Sequence, residues 1–259
     1  MNRSETTEPA PVMSHRPTPP RPQSVSVVIP VYNEAETVQE LVRRVVEAPK
    51  LGLTLQVVCV NDCSTDGSRQ KLDELPGLFP QVEFKIIHKP ENEGKGAALR
   101  DGFRLASGDV VVVQDADLEY DPADYAKLLG PIVEGKADVV YGSRFMGGEP
   151  HRVLYFWHTV GNKVLTALSN MFTNLNLTDM EVCYKVFRKD VLDRIPPLKC
   201  NRFGFEPEVT QKIAKLRPRL RIYEVGVAYY GRSYEEGKKI TWVDGIKAIL
   251  TIIRFRFTN

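Results

Sequence analysis

Short β-branched runs alternate strictly with helical patterns over residues 25–141, and few folds accept that order. Val25–Val31, Leu55–Val60, Val82–Ile87, Val110–Val113 and Val139–Tyr141 are near-continuous apolar runs, as strands covered on both faces must be. Between them, Ala35–Glu47 puts Val38, Leu41, Val42, Val45 and Val46 on one helical face, and Gly67–Leu75, Lys95–Ala106 and Pro122–Leu129 supply three more helices. The order predicts βα units around a mainly parallel sheet, closed by Val139–Tyr141. Sheets of this kind bind ligands at the carboxyl ends of their strands.

Polar residues gather at those ends. Pro30, Tyr32, Asn33 and Glu34 follow the first strand; Asn61, Asp62, Cys63, Ser64, Thr65, Asp66 and Gly67 follow the second; Asp115, Ala116, Asp117, Leu118 and Glu119 follow the fourth. No GxGxxG follows the first strand, and Gly94-Lys95-Gly96 lacks the GxxxxGK[ST] spacing, so neither a dinucleotide-dependent dehydrogenase nor a P-loop is expected. In extended backbone Asp115 and Asp117 point the same way with Cα atoms about 6–7 Å apart. They can share one cation, and oxygen ligands without His or Cys suit Mg²⁺ or Mn²⁺ rather than zinc. The blander role of such a pair is a strand end followed by a helix cap. Asp62 can hold its own turn or accept from the N–H groups of a nucleobase, and Glu34 can accept from ribose hydroxyls. Lys95, between two glycines at a helix start, is placed to meet an anion.

Composition narrows the class. With 42% hydrophobic and 26% charged residues, the chain is neither wholly disordered nor collagen-like nor membrane-embedded. The net charge of +2 conceals an asymmetry: residues 1–139 hold 15 Lys and Arg against 22 Asp and Glu, residues 140–259 hold 20 against 11. A basic half suits phosphate or an anionic surface as well as plain solvation, and no nucleic-acid partner is expected. Six of the first 22 residues are proline, which predicts a disordered tail over 1–22 without the apolar core of a signal peptide. The four cysteines lack CxxC spacing and read as reduced thiols of the cytosol. No run approaches the ~18–20 apolar residues of a membrane span. Leu154–Phe172 and Trp242–Phe257 are nevertheless amphipathic, and each can lie either on the sheet or in a headgroup layer.

The motifs in order resemble the inverting family-2 glycosyltransferases: Val28-Ile29-Pro30-Val31-Tyr32-Asn33-Glu34, Asn61–Gly67, Asn92-Glu93-Gly94-Lys95-Gly96 and Asp115–Glu119. Gly142-Ser143-Arg144-Phe145, Asp179 and Tyr184-Lys185-Val186-Phe187-Arg188 are similar to the dolichyl-phosphate mannose synthase branch and its bacterial polyprenyl-phosphate relatives. The resemblance runs from about Val25 to Lys239. It implies an α/β GT-A fold, with a catalytic domain over 23–239 and a C-terminal amphipathic helix over 240–259.

The resemblance also implies roles. Pro30, Tyr32 and Glu34 surround ribose and base, with Asp62 on the base and Lys95 on the nucleotide. Asp115, Ala116 and Asp117 line the donor diphosphate, Asp115 and Asp117 hold Mg²⁺ or Mn²⁺, and Asp117 is also counted as catalytic. Glu119 is carried over as a metal residue where the branch commonly has Gln, which leaves open whether it touches the cation or supports its shell. Cys63 stands where Gly is usual. Arg144, Arg232 and Lys238 match basic positions around acceptor phosphate and donor diphosphate. Phe203–Glu208 matches the stretch that supplies the catalytic carboxylate in hydroxyl-glycosylating relatives, so Glu206 and Glu208 are candidates. The implied reaction moves a hexose from GDP-mannose or a UDP-hexose to polyprenyl or dolichyl phosphate at the cytoplasmic membrane face, with room for a membrane partner subunit. Two rivals remain: transfer to a sugar hydroxyl, and a nucleotide-binding module without catalysis.

Overall fold

The structure is a computed structural model that describes residues 19–148, 152, 153, 155–232 and 242–258. Seven strands form one sheet: β1 (Ser24–Val31), β2 (Thr54–Asn61), β3 (Glu83–His88), β4 (Val110–Val113), β5 (Val139–Ser143), β6 (Lys185–Arg188) and β7 (Ile222–Gly226). Their spatial order is β3-β2-β1-β4-β6-β5-β7, and every neighbouring pair is parallel except those that β6 makes with β4 and β5. The helices α1 (Val38–Glu47), α2 (Ser68–Asp73), α3 (Leu75–Leu78), α4 (Lys95–Leu105) and α5 (Tyr125–Val133) alternate with the first five strands. The later helices are α6 (Phe156–Thr173), α7 (Lys189–Leu192), α8 (Phe205–Lys215) and α9 (Trp242–Phe257).

The chain runs outward from β1 through β2 to β3, then returns to lay β4 on the other side of β1. Helices therefore leave β1 and β4 in opposite directions, and a crevice opens between the carboxyl ends of those two strands. Both strands are encased, with Val27, Val28 and Ile29 of β1 and all four valines of β4 buried. Gly102 sets how closely α4 approaches, because a Cβ there would stand 2.3 Å from Val28 Cγ1.

Three expectations change. Val139–Tyr141 does not close the sheet: the strand continues to Ser143, β6 inserts antiparallel beside β4, and β7 adds an edge. Four-residue β6 is too short for a periodicity to stand out, and it carries the charged Lys185 and Arg188. Helix α1 starts at Val38 rather than Ala35, because residues 33–37 are spent on turns. Glu34 accepts the backbone N–H groups of Thr37 and Val38, and Ser68 Oγ accepts that of Glu34 (2.9 Å). Of the expected tail over 1–22, residues 1–18 lie outside the described residues. Pro20 is held by its carbonyl, which accepts from the Arg188 guanidinium (3.5 Å).

Gly102→Ala should destabilise the fold by about 1–3 kcal/mol, since the added methyl overpacks against a β-branched residue with one preferred rotamer. Chemical denaturation measures it; an unchanged midpoint would mean that α4 does not seat on β1 as described.

Candidate active site at the carboxyl edge of β1 and β4

Residues after β1, β2 and β4 meet in one crevice, and loop chemistry explains how. Asn33 and Cys63 both take left-handed backbone, with φ of 53° and 60°. The two loops are laced together: Ser64 Oγ accepts Asn33 N–H (3.0 Å), Asn33 Oδ1 accepts Thr65 N–H (2.9 Å) and Asp66 Oδ2 accepts Ala35 N–H (3.0 Å). Cys63 thus keeps the turn that glycine would make, at the steric cost of a Cβ in that region. Leu118, between Asp117 and Glu119, is likewise left-handed with φ 62°. Strain of this kind persists where the surroundings over-determine it. Behind it, buried Gln114 accepts from Tyr125 Oη (2.9 Å) and Tyr184 Oη (2.8 Å) and donates to the Asp115 carbonyl (3.0 Å).

The crevice crowds acid against base. Lys95 Nζ lies 2.8 Å from Asp115 Oδ1 and 3.1 Å from Glu206 Oε1. Burial works against the Lys95 charge, but these two carboxylates outweigh it and hold the ammonium well above its ordinary pKa. Arg232 Nη2 is 3.1 Å from both Asp117 Oδ2 and Glu34 Oε1, which joins the β1 and β4 loops through one guanidinium. Burial, then the charges of Asp115 and Glu119, push the Asp117 carboxyl up to about 7. A pair so reluctant to ionise together fits a divalent ion, which would remove the repulsion between Asp115 and Asp117.

Glu119 does not join them as a metal residue in this structure. Its Oε2 accepts from Tyr229 Oη (3.0 Å), its Oε1 from Arg232 N–H (2.7 Å), and its carbonyl from Tyr230 N–H (2.9 Å). The expected set of three ligands is therefore not assembled, and among the described residues no three His, Cys, Asp or Glu side chains are grouped to hold an ion. Glu119 braces the segment that carries Arg232.

The other expected residues fall as follows. Pro30 and Ala116 line the strand ends, and Tyr32 is exposed at the mouth. Both oxygens of buried Asp62 are engaged by the Glu93 (3.1 Å) and Gly94 (2.7 Å) amides, so Asp62 shapes the loop before α4. Arg144 forms a bidentate pair with Asp179 (2.7 and 2.8 Å), and its guanidinium stacks over Tyr229 at 5.2 Å. Glu224 accepts the Thr178 and Asp179 amides and so fixes that aspartate. Glu208 is not brought to the crevice: it is fully buried, pairs with Lys212 (2.6 Å) and accepts the Lys199 and Cys200 amides (2.7 Å each). Lys238 lies outside the described residues.

The segment before α8 reaches the site because Gly96 lets it. A Cβ on Gly96 would stand 2.3 Å from the Cys200 carbonyl, and Ala97 N–H donates to the Asn201 carbonyl (3.0 Å). Glu206 is thereby delivered to Lys95. Sequence reasoning passed over Glu181 and Tyr229. Glu181 and Lys185 stand four apart within the apolar stretch Met180–Phe187, and a charged pair in such a run was the available signal.

Comparison with known proteins places this geometry. Residues 26–196 match the model of Glycosyl transferase family 2. The chain belongs to that family. It is 41% identical over 124 residues to a dolichol-phosphate mannosyltransferase of Pyrococcus furiosus, covering 48% of this chain and 34% of that protein. It is 31% identical to an undecaprenyl-phosphate 4-deoxy-4-formamido-L-arabinose transferase of Proteus mirabilis, over 83% of this chain and 62% of the relative. An undecaprenyl-phosphate mannosyltransferase of Micrococcus luteus is 30% identical over 89% of this chain and 93% of its own length. The chain thus spans about a third of the archaeal relative and under two thirds of the Proteus one. The glucosyl-3-phosphoglycerate synthase of Mycobacterium tuberculosis, crystallised with Mn²⁺, UDP and glucosyl-3-phosphoglycerate, superposes with a TM-score of 0.67 at 18% identity. That match covers 92% of this chain and 81% of the other. At that identity the likeness is one of fold, and the fold is GT-A.

Asp179→Ala should cost about 3–5 kcal/mol, because it strands the Arg144 guanidinium in a buried site. Equilibrium unfolding should show it; a loss below about 1 kcal/mol would mean that the pair is solvated.

Proposed function

We propose that the chain transfers a hexosyl group from a nucleoside diphosphate sugar to a polyprenyl phosphate, with inversion at the anomeric carbon and with Mg²⁺ or Mn²⁺. Relatives that align over most of this chain are named for transfer to undecaprenyl phosphate, which supports the acceptor class. The observation that carries the reading is the allocation of charge. Lys95, Arg144 and Arg232 supply cations along one crevice, while Glu208 is buried in its own ion pair and Glu206 is tied to Lys95. A hydroxyl acceptor needs a carboxylate ready to take its proton. A lipid monophosphate, with a second pKa near ~6, arrives already ionised.

The chain's residues divide the work. Glu34 and Tyr32 face the nucleoside, and the loop shaped by Asp62 frames the base. Lys95 and Arg232 lie where the diphosphate would meet them, and their charges would stabilise the leaving group as its bond to the sugar breaks. Asp115 and Asp117 would hold the divalent ion, which when bound withdraws charge from the departing diphosphate. Arg144, with its planar fork fixed by Asp179, is placed for the acceptor phosphate, and the phosphate oxygen attacks from the face opposite the nucleotide.

Helices α6 and α9 support work at a lipid surface. On α6 the packed side is small and polar, Thr166 and Ser169, whereas Phe156, Trp157, Val164 and Met171 face outward, Trp157 with 77% and Met171 with 78% of its surface exposed. Helix α9 packs on α6 and α8 through Ala248, Ile252 and Phe255 and turns Ile246, Leu250 and Phe257 outward beside Lys247, Arg254 and Arg256. Among the described residues no helix is long and apolar enough to cross a membrane. An apolar face edged with cations is the form of an interfacial helix, which supports the reading that the enzyme works at the inner face of the cytoplasmic membrane.

Incubating the protein with Mn²⁺, labelled GDP- and UDP-sugars and polyprenyl phosphate should move label into the organic phase, and Asp115→Asn or Asp117→Asn should lower the rate about 100-fold or more. Label passing instead to a free sugar would favour the hydroxyl acceptor; metal-dependent nucleotide binding without transfer or donor hydrolysis would leave a binding module. Separately, Phe156→Glu with Trp157→Glu should lower flotation with anionic-lipid vesicles several-fold. Undiminished flotation would remove α6 from the membrane reading.

A further inference from the structure

Beneath the crevice lies a group of charged side chains that the proposed chemistry does not use. Glu206, only 4% exposed, gives Oε1 to Lys95, while its Oε2 is sealed from solvent without a hydrogen-bond partner among the described residues. Glu181 has a second such oxygen, Oε1. Lys185 is fully buried, donates to the Val182 carbonyl and stands 5.1 Å from the Tyr141 ring centroid. Uncompensated buried oxygens are costly, so a group of them beside a binding site calls for an explanation beyond folding.

We infer that Glu206 is a positioning residue, not a general base: it suspends the Lys95 ammonium against Asp115 so that Lys95 meets the donor diphosphate. This inference rests on the donor reading above. Three observations support it. Glu206 and Asp115 flank the same ammonium at 3.1 and 2.8 Å, a separation at which the lysine is shared between them. The Glu206 side chain is enclosed, and its second oxygen, Oε2, is sealed from solvent and so not offered to a proton-bearing acceptor. The backbone that delivers it is locked to α4 at Gly96 and Ala97, so Lys95 and Glu206 are held as one unit.

The test is calorimetric titration of the full chain with UDP and with GDP, each with Mn²⁺, so that no acceptor or turnover is involved. Glu206→Gln and Lys95→Met should each weaken binding about tenfold, and the double variant should be no weaker than Lys95→Met alone, because one interaction has been removed twice. Glu206→Asp should recover part of the loss, and it keeps the test open if the glutamine variant fails to fold. Additive losses, or a Glu206→Gln protein that binds nucleotide normally while its kcat collapses, would each overturn the inference. Wild-type protein that binds neither nucleotide overturns the donor reading and this inference with it.

Discussion

Negative charge at the carboxyl edge of β1 and β4 is the constraint on which this molecule is built. Glu34, Asp115, Asp117 and Glu119 come from two loops that the sheet order forces together, and unshielded they would drive those loops apart. Lys95 arrives from the start of α4 and Arg232 from the segment after β7 to hold them. Each cation spans acids from separate segments, so the charge that a substrate must engage is also the charge that fixes the loops. Stability and binding draw here on the same ion pairs.

The first half of the fold was legible because its strands other than β3 are β-branched runs and its helices other than α3 are longer than a turn; α4 and β4 coincide with their patterns to within a residue. Beyond Tyr141 the signal fails. Strand β6 is four residues long and carries charge into the interior, and β7 is only half-buried, so neither alternation nor a continuous apolar run marks it. The insertion of β6 pairs Arg188, Phe187 and Val186 with Val110, Val111 and Val112 of β4, although more than seventy residues of sequence lie between them.

The site was legible in its members more than in their relations. That Asp115, Asp117, Lys95 and Arg232 belong together followed from motifs; that Arg232 bridges Asp117 to Glu34 did not, because no local pattern reports contacts nearly 200 residues apart. Glu206 and Glu208 looked equivalent in sequence. About half a turn of helix α8 separates their fates, since position 206 faces α4 while position 208 faces the Lys199–Cys200 amides and Lys212. Asp62 and Glu119 show the converse: side chains expected on ligand atoms spend their oxygens on backbone amides and, for Glu119 Oε2, on the Tyr229 hydroxyl, and shape the cavity from outside it.

The reversed polarity of α6 has a kinetic meaning. A helix whose aromatic side points away from its own protein gains most when that side leaves water. If a bilayer receives it and the acceptor is the lipid phosphate proposed above, the two meet in two dimensions, and the quantity that governs their encounter is the number of acceptors per unit area of leaflet rather than per unit volume. Diluting the acceptor among other lipids would then slow the reaction even while its amount in the tube stayed fixed.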